Sequence, residues 1–514
     1  MLPNLPIGRQ DFHKIRTAGD LYVDKTEHIH RLITGGGGYY FLARPRRFGK
    51  SLTLSTIKEL YSGSRELFKG LWVEDHWDWN KTAPVIHLQF NEINYVNQSL
   101  EAGLKDALLR VYAAYGLSSS ETILSDLFKD LLRQLAAAHG RVVLLIDEYD
   151  KPLIDFLTKE KLPQAFENQA VLKSFYSVIK SSDNLIEFLL ITGVSKFSKV
   201  GVFSDLNNLY DITLHPRFAT LTGITQEELE LHFGAAIDAH EAETGKTDLR
   251  GKLRTWYNGY SFHGGKDRVY NPFSILSFFG SWEFRNFWFS TGTPTFLIDL
   301  LRERHYYRFE QVEMGPSAFE SYQLDRLETI PLLFQTGYLT IKEYDPEYQL
   351  YTLDYPNKEV KDSMLQYLVA AFRHGNVYET TPAVVRLAKA FDAGDLEAVR
   401  EQINDLFQTI PHQLFVAAKE NLYHALIHLL FTYLGQYIQS EVNTLRGRID
   451  SVVETDDHVY VLEFKLDGSA EAALAQIQER GYLEAKRSAG KKVVAIGVNF
   501  SSSEKGITGW AVAK

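Results

Sequence analysis

Three consecutive residues near the N-terminus have the types and spacing needed to bind a phosphate. Gly49, Lys50 and Ser51 follow a short apolar run and precede Leu52–Tyr61, a segment with helical character. At a strand-to-helix junction of this kind, backbone N–H groups and the N-terminus of the helix attract phosphate oxygens. Lysine can reach the β- and γ-phosphates, serine can ligate Mg²⁺, and glycine permits close approach of the backbone. We therefore predict a nucleotide-binding loop at these three residues and at Leu52, which follows them.

The loop departs from the common glycine-rich pattern at one position. In G-x-x-x-x-G-K-[ST] the first glycine would fall at position 44, where this chain has Arg44. Arg44, Arg46 and Arg47 could neutralise phosphate charge, and we include Arg44 and Arg47 in the predicted nucleotide site. A solvated basic loop explains these arginines equally well. For the motif as a whole, the alternative is a chance Gly-Lys-Ser triplet on a surface loop.

A second group of polar residues downstream supports the first. Val142–Ile146 is an apolar run typical of a strand covered on both faces, and it ends in Asp147 and Glu148. We expect Asp147 to hold Mg²⁺, directly or through water, and Glu148 to orient and deprotonate the water that attacks ATP. Thr192 ends the next buried strand and is a candidate sensor of the γ-phosphate. The alternative for the two acids is a pair of solvated carboxylates at the entrance of a loop.

Near the C-terminus, two carboxylates and a lysine form a pattern suited to phosphodiester hydrolysis. Glu463 and Lys465 lie on one face of the predicted strand Val459–Leu466, because side chains alternate along a strand. A short turn makes this strand and the preceding one a hairpin, so Asp450 can approach Glu463. Two carboxylates can hold Mg²⁺, and the lysine can position or activate a water molecule. The alternative is an ion pair on the exposed face of a strand.

The order of elements around this pattern favours a catalytic site. A helix, two strands, the strand with Glu463, a helix and a further strand follow one another, as in the restriction-endonuclease-like core. The helix after the hairpin, predicted at Ala470–Arg487, places Gln476 or Gln478 near Tyr482. We take Gln476 as a further member of the predicted catalytic site.

The rest of the sequence supplies the elements that must position these residues. Strand-like segments alternate with helical ones in the first part of the chain, which is typical of a parallel sheet covered by helices. The pattern then becomes mainly helical and rich in aromatic residues before strands return near the C-terminus. We therefore predict an α/β fold in three parts: a P-loop NTPase domain with a parallel sheet at 1–225, a mainly helical middle or lid region at 226–382, and a helical lead-in with a restriction-endonuclease-like α/β domain at 383–514.

Composition and charge narrow the class of protein and its partners. Of the 514 residues, 45% are hydrophobic and 23% are charged, as in folded globular proteins. The chain has no cysteine, which excludes disulfides, thiolate catalysis and Cys-ligated zinc and fits a reducing cytoplasm. The formal net charge is −10, so any contact with nucleic acid must use local basic patches. The apolar stretches are too short to cross a bilayer, and we expect a cytoplasmic protein without a membrane partner.

Together these residues resemble a known bacterial architecture, the AAA-ATPase-like family fused to a C-terminal PD-(D/E)XK nuclease-superfamily domain. The most specific segments are Phe41–Leu52, Ile146–Pro152, Thr192–Asn208, Trp256–Phe262, Asn271–Phe273, Gly447–Asp450 and Glu463–Lys465. In that family the loop is similar to RPRRFGKS, so Arg44 in place of glycine looks like a family feature. The resemblance implies an AAA-like domain that binds ATP and Mg²⁺ at Lys50, Ser51, Asp147 and Glu148. It also implies a metal-dependent nuclease site at Asp450, Glu463 and Lys465.

These motifs lead to one expected function and two alternatives. We expect ATP binding or hydrolysis by the N-terminal domain to gate Mg²⁺-dependent cleavage of nucleic acid, preferably DNA, by the C-terminal domain. The first alternative is an ATP-driven conformational switch or adaptor, whose nuclease-like domain only binds nucleic acid or a protein partner. The second is a plain ATPase in which the strand with Glu463 and Lys465 is structural. The expected partners are ATP and nucleic acid, and we allow for a homo-oligomer.

Overall fold

The computed structural model describes most of the chain, which forms two compact units. The described residues are 3–36, 38–196, 202–203, 206, 208–264, 266–289, 295–304, 306–319, 324, 328–408, 419–444, 449–479, 491–504 and 506–513. At 295–296, 419–421, 441–444, 449–450 and 479 the description covers the backbone alone. The first unit comprises Met1–Thr291 and Phe309–Glu359, and the second comprises Gly292–Arg308 and Val360–Lys514. The predicted middle region at 226–382 is thus shared between the two units.

A five-stranded parallel sheet forms the centre of the first unit, as predicted. Its strands are β1 (Tyr39–Ala43), β2 (Val85–Gln89), β3 (Val142–Asp147), β4 (Ile186–Gly193) and β5 (Tyr210–Asp211), in the order β2-β3-β4-β1-β5. Every residue of β3 is buried, which explains its continuous run of valine, leucine and isoleucine. Because the strands are parallel and adjacent, the carboxyl ends of β3, β4 and β1 lie side by side.

Among the described residues up to position 181, seven helices accompany this sheet, and the first three of them bury an apolar core against it. They are α1 (Phe12–Thr17), α2 (Thr26–Thr34), α3 (Lys50–Tyr61), α4 (Leu100–Ala114), α5 (Leu124–His139), α6 (Lys151–Ile154) and α7 (Leu162–Ser181). From α3, Leu54, Ile57 and Leu60 join the same core as Leu145 of β3 and Leu190 of β4. This packing fixes the N-terminus of α3 relative to the strand ends, because a buried face cannot turn without exposing apolar surface.

The first unit continues with further helices and a small second sheet. Thr225 begins α8 (Gln226–Thr244) with a capping box, in which its hydroxyl accepts from the N–H of Glu228 and the Glu228 carboxylate accepts from the N–H of Thr225. The elements that follow are α9 (Leu249–Tyr257), α10 (Pro272–Ser281), α11 (Thr295–Glu303) of the second unit, β6 (Val312–Met314), α12 (Thr329–Thr336), β7 (Thr340–Asp345) and β8 (Leu350–Asp354). The prediction of a helical middle region is confirmed, whereas the antiparallel sheet β6-β8-β7 was not predicted.

The second unit combines helices with a five-stranded mixed sheet. Besides α11, its helices are α13 (Lys358–Phe372), which begins in the first unit, α14 (Val377–Ala393), α15 (Leu396–Gln408), α16 (Lys419–Leu434) and α17 (Ala470–Glu479). Its strands are β9 (Gln439–Thr444), β10 (Ile449–Glu454), β11 (His458–Leu466), β12 (Lys492–Ser501) and β13 (Gly506–Ala513), in the order β13-β12-β11-β10-β9. Within the described ranges of both units, we find no helix that combines the length and the apolar character needed to span a membrane.

The C-terminal sheet has the order of elements that the sequence predicts. β10 and β11 form the antiparallel hairpin, and α17 connects β11 to the parallel strand β12. At Gly497 of β12, an added Cβ would lie 2.1 Å from the carbonyl oxygen of Ala470, so this close approach of α17 requires glycine. The final strand, β13, was not predicted, and the predicted continuation of the helix over 480–487 lies outside the described residues.

Candidate functional site

The predicted phosphate loop joins β1 to α3, and Lys50 donates hydrogen bonds to carbonyl oxygens of this loop. Gly49 has a φ of 94°, a left-handed conformation that favours glycine, and α3 begins at the next residue. Lys50 is 5% exposed, and its Nζ donates to the carbonyl oxygens of Arg44 at 2.9 Å and of Pro45 at 3.0 Å. Burial lowers the pKa of Lys50, while the negative charge of Asp147 raises it. The ammonium group therefore lies over the loop, at the N-terminus of the helix.

Arg44, at the position of the usual first glycine, is buried. Its guanidinium donates to the carbonyl oxygens of Thr213 at 2.6 Å and Phe218 at 3.0 Å. It also lies 4.0 Å from the centre of the Phe262 ring, and burial lowers the pKa of Arg44 to about 9. These contacts tie the loop to the segment after β5 and favour a structural role. The assignment of Arg44 to nucleotide binding stays a prediction.

Arg46 and Arg47 have exposed side chains, unlike Arg44. Arg47 has a φ of 65°, and its guanidinium lies 3.8 Å from the centre of the Phe273 ring. Arg46 lines a cavity together with Glu148, and its carbonyl oxygen accepts a hydrogen bond from Trp288 Nε1 at 3.1 Å. The three arginines of the loop thus have three different environments. The sequence could not distinguish them, because all three are the same residue type.

The ends of β3 and β4 bring two predicted residues into contact. Thr192 Oγ1 donates to Asp147 Oδ1 at 2.6 Å, and both residues are at most 1% exposed. Because β4 lies between β3 and β1, this pair is close to the phosphate loop that follows β1. Ser51, which we predict as a Mg²⁺ ligand, lies in the first turn of α3. One carboxylate and one hydroxyl are a suitable protein donor set, since Mg²⁺ usually takes its other ligands from phosphates and water.

Glu148 lines the wall of an open cavity of about 270 Å³. Its φ is 56°, and burial, together with the neighbouring Asp147 carboxylate, raises the pKa of Glu148. A carboxylate with a raised pKa is a better proton acceptor near neutral pH. Asp150 shares this wall, but its carboxylate accepts from the N–H groups of Val194 at 3.0 Å and Ser195 at 2.7 Å. Since Asp150 holds the segment after β4, Glu148 is the better placed of the two to act as a base.

A second cavity, which the sequence did not predict, opens beside the phosphate loop. It has a volume of about 90 Å³, and its mostly apolar wall comes from Pro6 and from residues within the segments 21–25, 48–53, 221–224 and 272–276. Leu52, which we assigned to nucleotide binding, belongs to this wall. The other segments carry ordinary core residues and are far apart in sequence, so no local signal marked them as a site.

The acids and the lysine of the C-terminal motif lie on the central strands of the second unit's sheet. Asp450 of β10 pairs directly with Glu463 of β11 in the backbone register, and the Asp450 side chain lies outside the described part of the chain. The Glu463 side chain is 2% exposed, and its Oε1 lies 3.8 Å from Lys465 Nζ. Lys465 Nζ also donates to Gln476 Oε1 of α17 at 2.5 Å. Four residues predicted as one site therefore come from two paired strands and the helix that follows them.

The donor set at this point suits a hard divalent cation. Burying a carboxylate costs free energy unless a cation or a hydrogen-bond donor lies beside it. Beside Glu463 this partner is Lys465, whose Nζ lies 3.8 Å from the Glu463 Oε1. Among the side chains that the structure describes, no three His, Asp or Glu groups form a cluster able to hold a metal ion. Asp450 would be the second carboxylate, and two carboxylates suffice for Mg²⁺ when water and phosphate oxygens complete its shell.

Family comparisons match the two units separately. The model described as predicted AAA-ATPase matches residues 6–203, and the model of the PD-(D/E)XK nuclease superfamily matches residues 418–510. A protein of Azotobacter chroococcum mcd 1, described as an uncharacterized protein in the vnfD 5' region, is 38% identical over 527 residues, covering 99% of this chain and 98% of that protein. This chain belongs to the AAA-ATPase-like family with a PD-(D/E)XK domain.

The candidate residues of this AAA-ATPase-like protein fall within the matched ranges. Lys50, Asp147 and Thr192 lie within the predicted AAA-ATPase, and Glu463 and Lys465 lie within the nuclease-superfamily match. The family resemblance inferred from the motifs is therefore confirmed, including the order of the two domains. Part of the apolar cavity, at 221–224 and 272–276, comes from outside both matched ranges.

Proposed function

We propose that this protein binds ATP and Mg²⁺ at the loop of its first unit, hydrolyses ATP, and uses its nucleotide state to control a nuclease in its C-terminal domain. The nuclease reaction is the Mg²⁺-dependent hydrolysis of phosphodiester bonds in nucleic acid, and DNA is the favoured substrate. We place this reaction in the cytoplasm, which the absence of cysteine permits, and we allow for assembly into a homo-oligomer.

The buried pair Asp147 and Thr192 supports the ATPase half of the proposal. The threonine hydroxyl donates to one carboxylate oxygen at 2.6 Å, and the carboxylate would hold Mg²⁺ together with Ser51 and the phosphates. Lys50 supplies a positive charge for the phosphates at the N-terminus of α3, where backbone N–H groups add further donors. Glu148, in the adjoining cavity, would accept a proton from the attacking water.

The apolar cavity beside the loop supports a nucleotide as the ligand rather than free phosphate. Leu52 and Thr53 of α3 form part of its wall, directly after the residues that would bind the phosphates. An aromatic base has two flat faces that pack on apolar groups and a polar edge, and ligand pockets are commonly lined by apolar side chains with a few polar atoms. Lys25, Thr53 and Thr222 are the buried polar residues that the structure describes on this wall. This wall supports the proposal that the base of ATP binds next to the phosphate site.

The observation that carries the nuclease half is the contact among Glu463, Lys465 and Gln476. A buried carboxylate, a lysine 3.8 Å away and an amide 2.5 Å from that lysine form a connected polar group on one sheet face. A purely structural ion pair would gain little on an exposed strand, and Glu463 is almost fully buried. With Asp450 opposite it in the register, Glu463 can ligate Mg²⁺ while Lys465 holds the attacking water.

The test is a cleavage assay on the full chain with linear and circular DNA and RNA, each with and without ATP and Mg²⁺. We expect wild type to cut DNA only with Mg²⁺ and to change its rate when ATP is added. Lys50→Ala should lose ATP binding in calorimetry and lose the ATP effect on cleavage, because loop amides cannot replace a buried cation. Lys58→Ala, an exposed lysine of the same helix, is the matched control and should behave like wild type.

A second pair of variants separates the nuclease from the ATPase. Glu463→Gln should abolish cleavage while phosphate release from ATP continues, because the amide cannot replace a carboxylate ligand. Glu471→Gln, an exposed acid on α17, is the control and should cut normally. If wild type cuts no DNA or RNA under any nucleotide and metal condition, yet still binds ATP, the nuclease half is wrong and the adaptor alternative replaces it.

A further inference from the structure

The cavity beside Glu148 lies between the ends of two strands, above the end of a third. Glu148 follows β3, Val194 follows β4 and Arg46 follows β1, and all three residues line the cavity. Because β4 lies between β3 and β1, those two strands are about 10 Å apart, or two strand spacings. A phosphoryl group could therefore occupy this space with an acid on one side and an arginine on the other.

Other basic residues of this region are already engaged. The Arg44 guanidinium is buried against backbone carbonyl oxygens, and the Arg47 guanidinium lies over an aromatic ring. Lys151, on the cavity wall, forms an ion pair with Asp155 at 2.8 Å. For the part of the chain that the structure describes, no hydrogen bond or ion pair engages the Arg46 side chain. Of the two basic residues on this wall, Arg46 is therefore the one whose side chain is available to a ligand.

The backbone at Arg46 is fixed although its side chain is exposed. Trp288 Nε1 donates to the carbonyl oxygen of Arg46 at 3.1 Å. The preceding residue, Pro45, packs so closely on Gly337 that an added Cβ at Gly337 would lie 2.7 Å from the Pro45 Cβ. A fixed backbone reduces the number of positions that the guanidinium can take. The Arg46 side chain would therefore lose less conformational entropy when it binds an anion.

We propose that Arg46 contacts the γ-phosphate of ATP and stabilises the negative charge that develops as this group is transferred to water. In this step a water oxygen bonds to the γ-phosphorus, the bond from phosphorus to the bridging oxygen of ADP breaks, and Glu148 takes the water proton. Arg46 exchanges no proton, and Trp288 is a positioning residue that acts through it. The inference rests on the proposed ATP hydrolysis. The cation that stabilises the transition state then comes from Arg46 of the same chain.

The test compares Arg46→Ala, Arg46→Lys and the exposed control Arg110→Ala in the full chain. We expect Arg46→Ala to lower kcat for ATP hydrolysis by about 100-fold or more, because a cation at the developing charge acts mainly in the transition state. Its Kd for ATP should stay within about threefold of wild type. Arg46→Lys should recover part of the rate, since lysine keeps the charge but loses the planar fork. Arg110→Ala should match wild type.

The role of Trp288 is tested by a double-mutant cycle. Trp288→Phe removes the N–H donor, keeps an aromatic ring and should lower kcat with little change in Kd; in the Arg46→Ala background it should have no further effect on kcat. An equal loss of kcat from Trp288→Phe in both backgrounds would overturn the positioning claim.

A weakened Kd with unchanged kcat in Arg46→Ala would make Arg46 a ground-state binder and overturn the catalytic claim. If wild type binds ATP but releases no phosphate, the proposed ATPase itself is wrong; normal turnover in Arg46→Ala refutes this inference alone.

Discussion

Glu359 is a buried acid whose ionisation should change the stability of the first unit. Its carboxylate is 0% exposed and accepts hydrogen bonds from Ser274 Oγ at 2.7 Å and from the N–H of Trp288 at 2.6 Å. Burial raises the pKa of Glu359 from an ordinary 4.5 to about 7, although these donors lower it in part. The indole of the same Trp288 donates to the carbonyl oxygen of Arg46, so Glu359 and the phosphate loop share one hydrogen-bonding partner.

The sign and size of the effect follow from the difference between the two pKa values. Because the pKa is higher in the folded state, protonated Glu359 favours folding, and its contribution is fully present below pH 4.5. The contribution is lost as the pH rises through about 7. Each unit of pKa corresponds to about 1.4 kcal/mol, so the loss across this window is about 3 kcal/mol. Glu359→Gln cannot ionise and keeps both a donor and an acceptor, so the variant should not show this loss.

The measurement is urea unfolding of wild type and Glu359→Gln at several pH values between 4.5 and about 8, followed by circular dichroism and tryptophan fluorescence. We expect the variant to gain about 3 kcal/mol relative to wild type from the acid end to the alkaline end. The exposed acid Glu347→Gln is the control for the loss of one carboxylate. A difference between Glu359→Gln and wild type that stays level with pH, as in the control, would contradict the reasoning from burial.

Further variants address the two chemical sites. Glu148→Gln removes the base but keeps the size of the side chain, so it should bind ATP and lose turnover; undiminished phosphate release would place the base elsewhere. Asp450→Ala should lower DNA cleavage by about 100-fold or more, and adding Glu463→Ala should cost little further because the metal is already displaced, whereas additive losses would show that the two acids act separately. Lys465→Ala should still bind Mg²⁺ in calorimetry but cleave slowly, and a loss of metal affinity would make the lysine part of the metal site's structure.

Local sequence signals predicted the elements that carry the strand-end residues. The run Val142–Ile146 is continuous and apolar because β3 is buried on both faces, and Asp147 and Glu148 are polar because the strand ends there. The short turn predicted an antiparallel hairpin in which Asp450 can approach Glu463, and the structure pairs these two residues directly. These predictions needed contacts between residues close in sequence or on neighbouring strands only.

The features that the sequence did not predict depend on contacts between distant segments. The apolar cavity brings 21–25 and 272–276 to the phosphate loop, and no single segment shows a ligand-binding pattern. The bond from Trp288 to Arg46 likewise joins residues 242 positions apart. β5 and β6 have two and three residues, which is too short for a reliable pattern of alternation. A tertiary contact can form part of a site although no local sequence pattern predicts it.

Arg44 shows why a departure from a motif need not damage the loop. A positive φ favours glycine, and in this loop the positive values occur at Arg47, with 65°, and Gly49, with 94°, but not at position 44. A side chain at position 44 therefore causes no backbone strain, and its guanidinium instead bonds to the segment after β5. The strain of a left-handed residue, about 1 kcal/mol or more, falls on Arg47, where the contact with Phe273 can offset it. Between these two arginines, the loop carries Arg46 into the cavity that Glu148 lines.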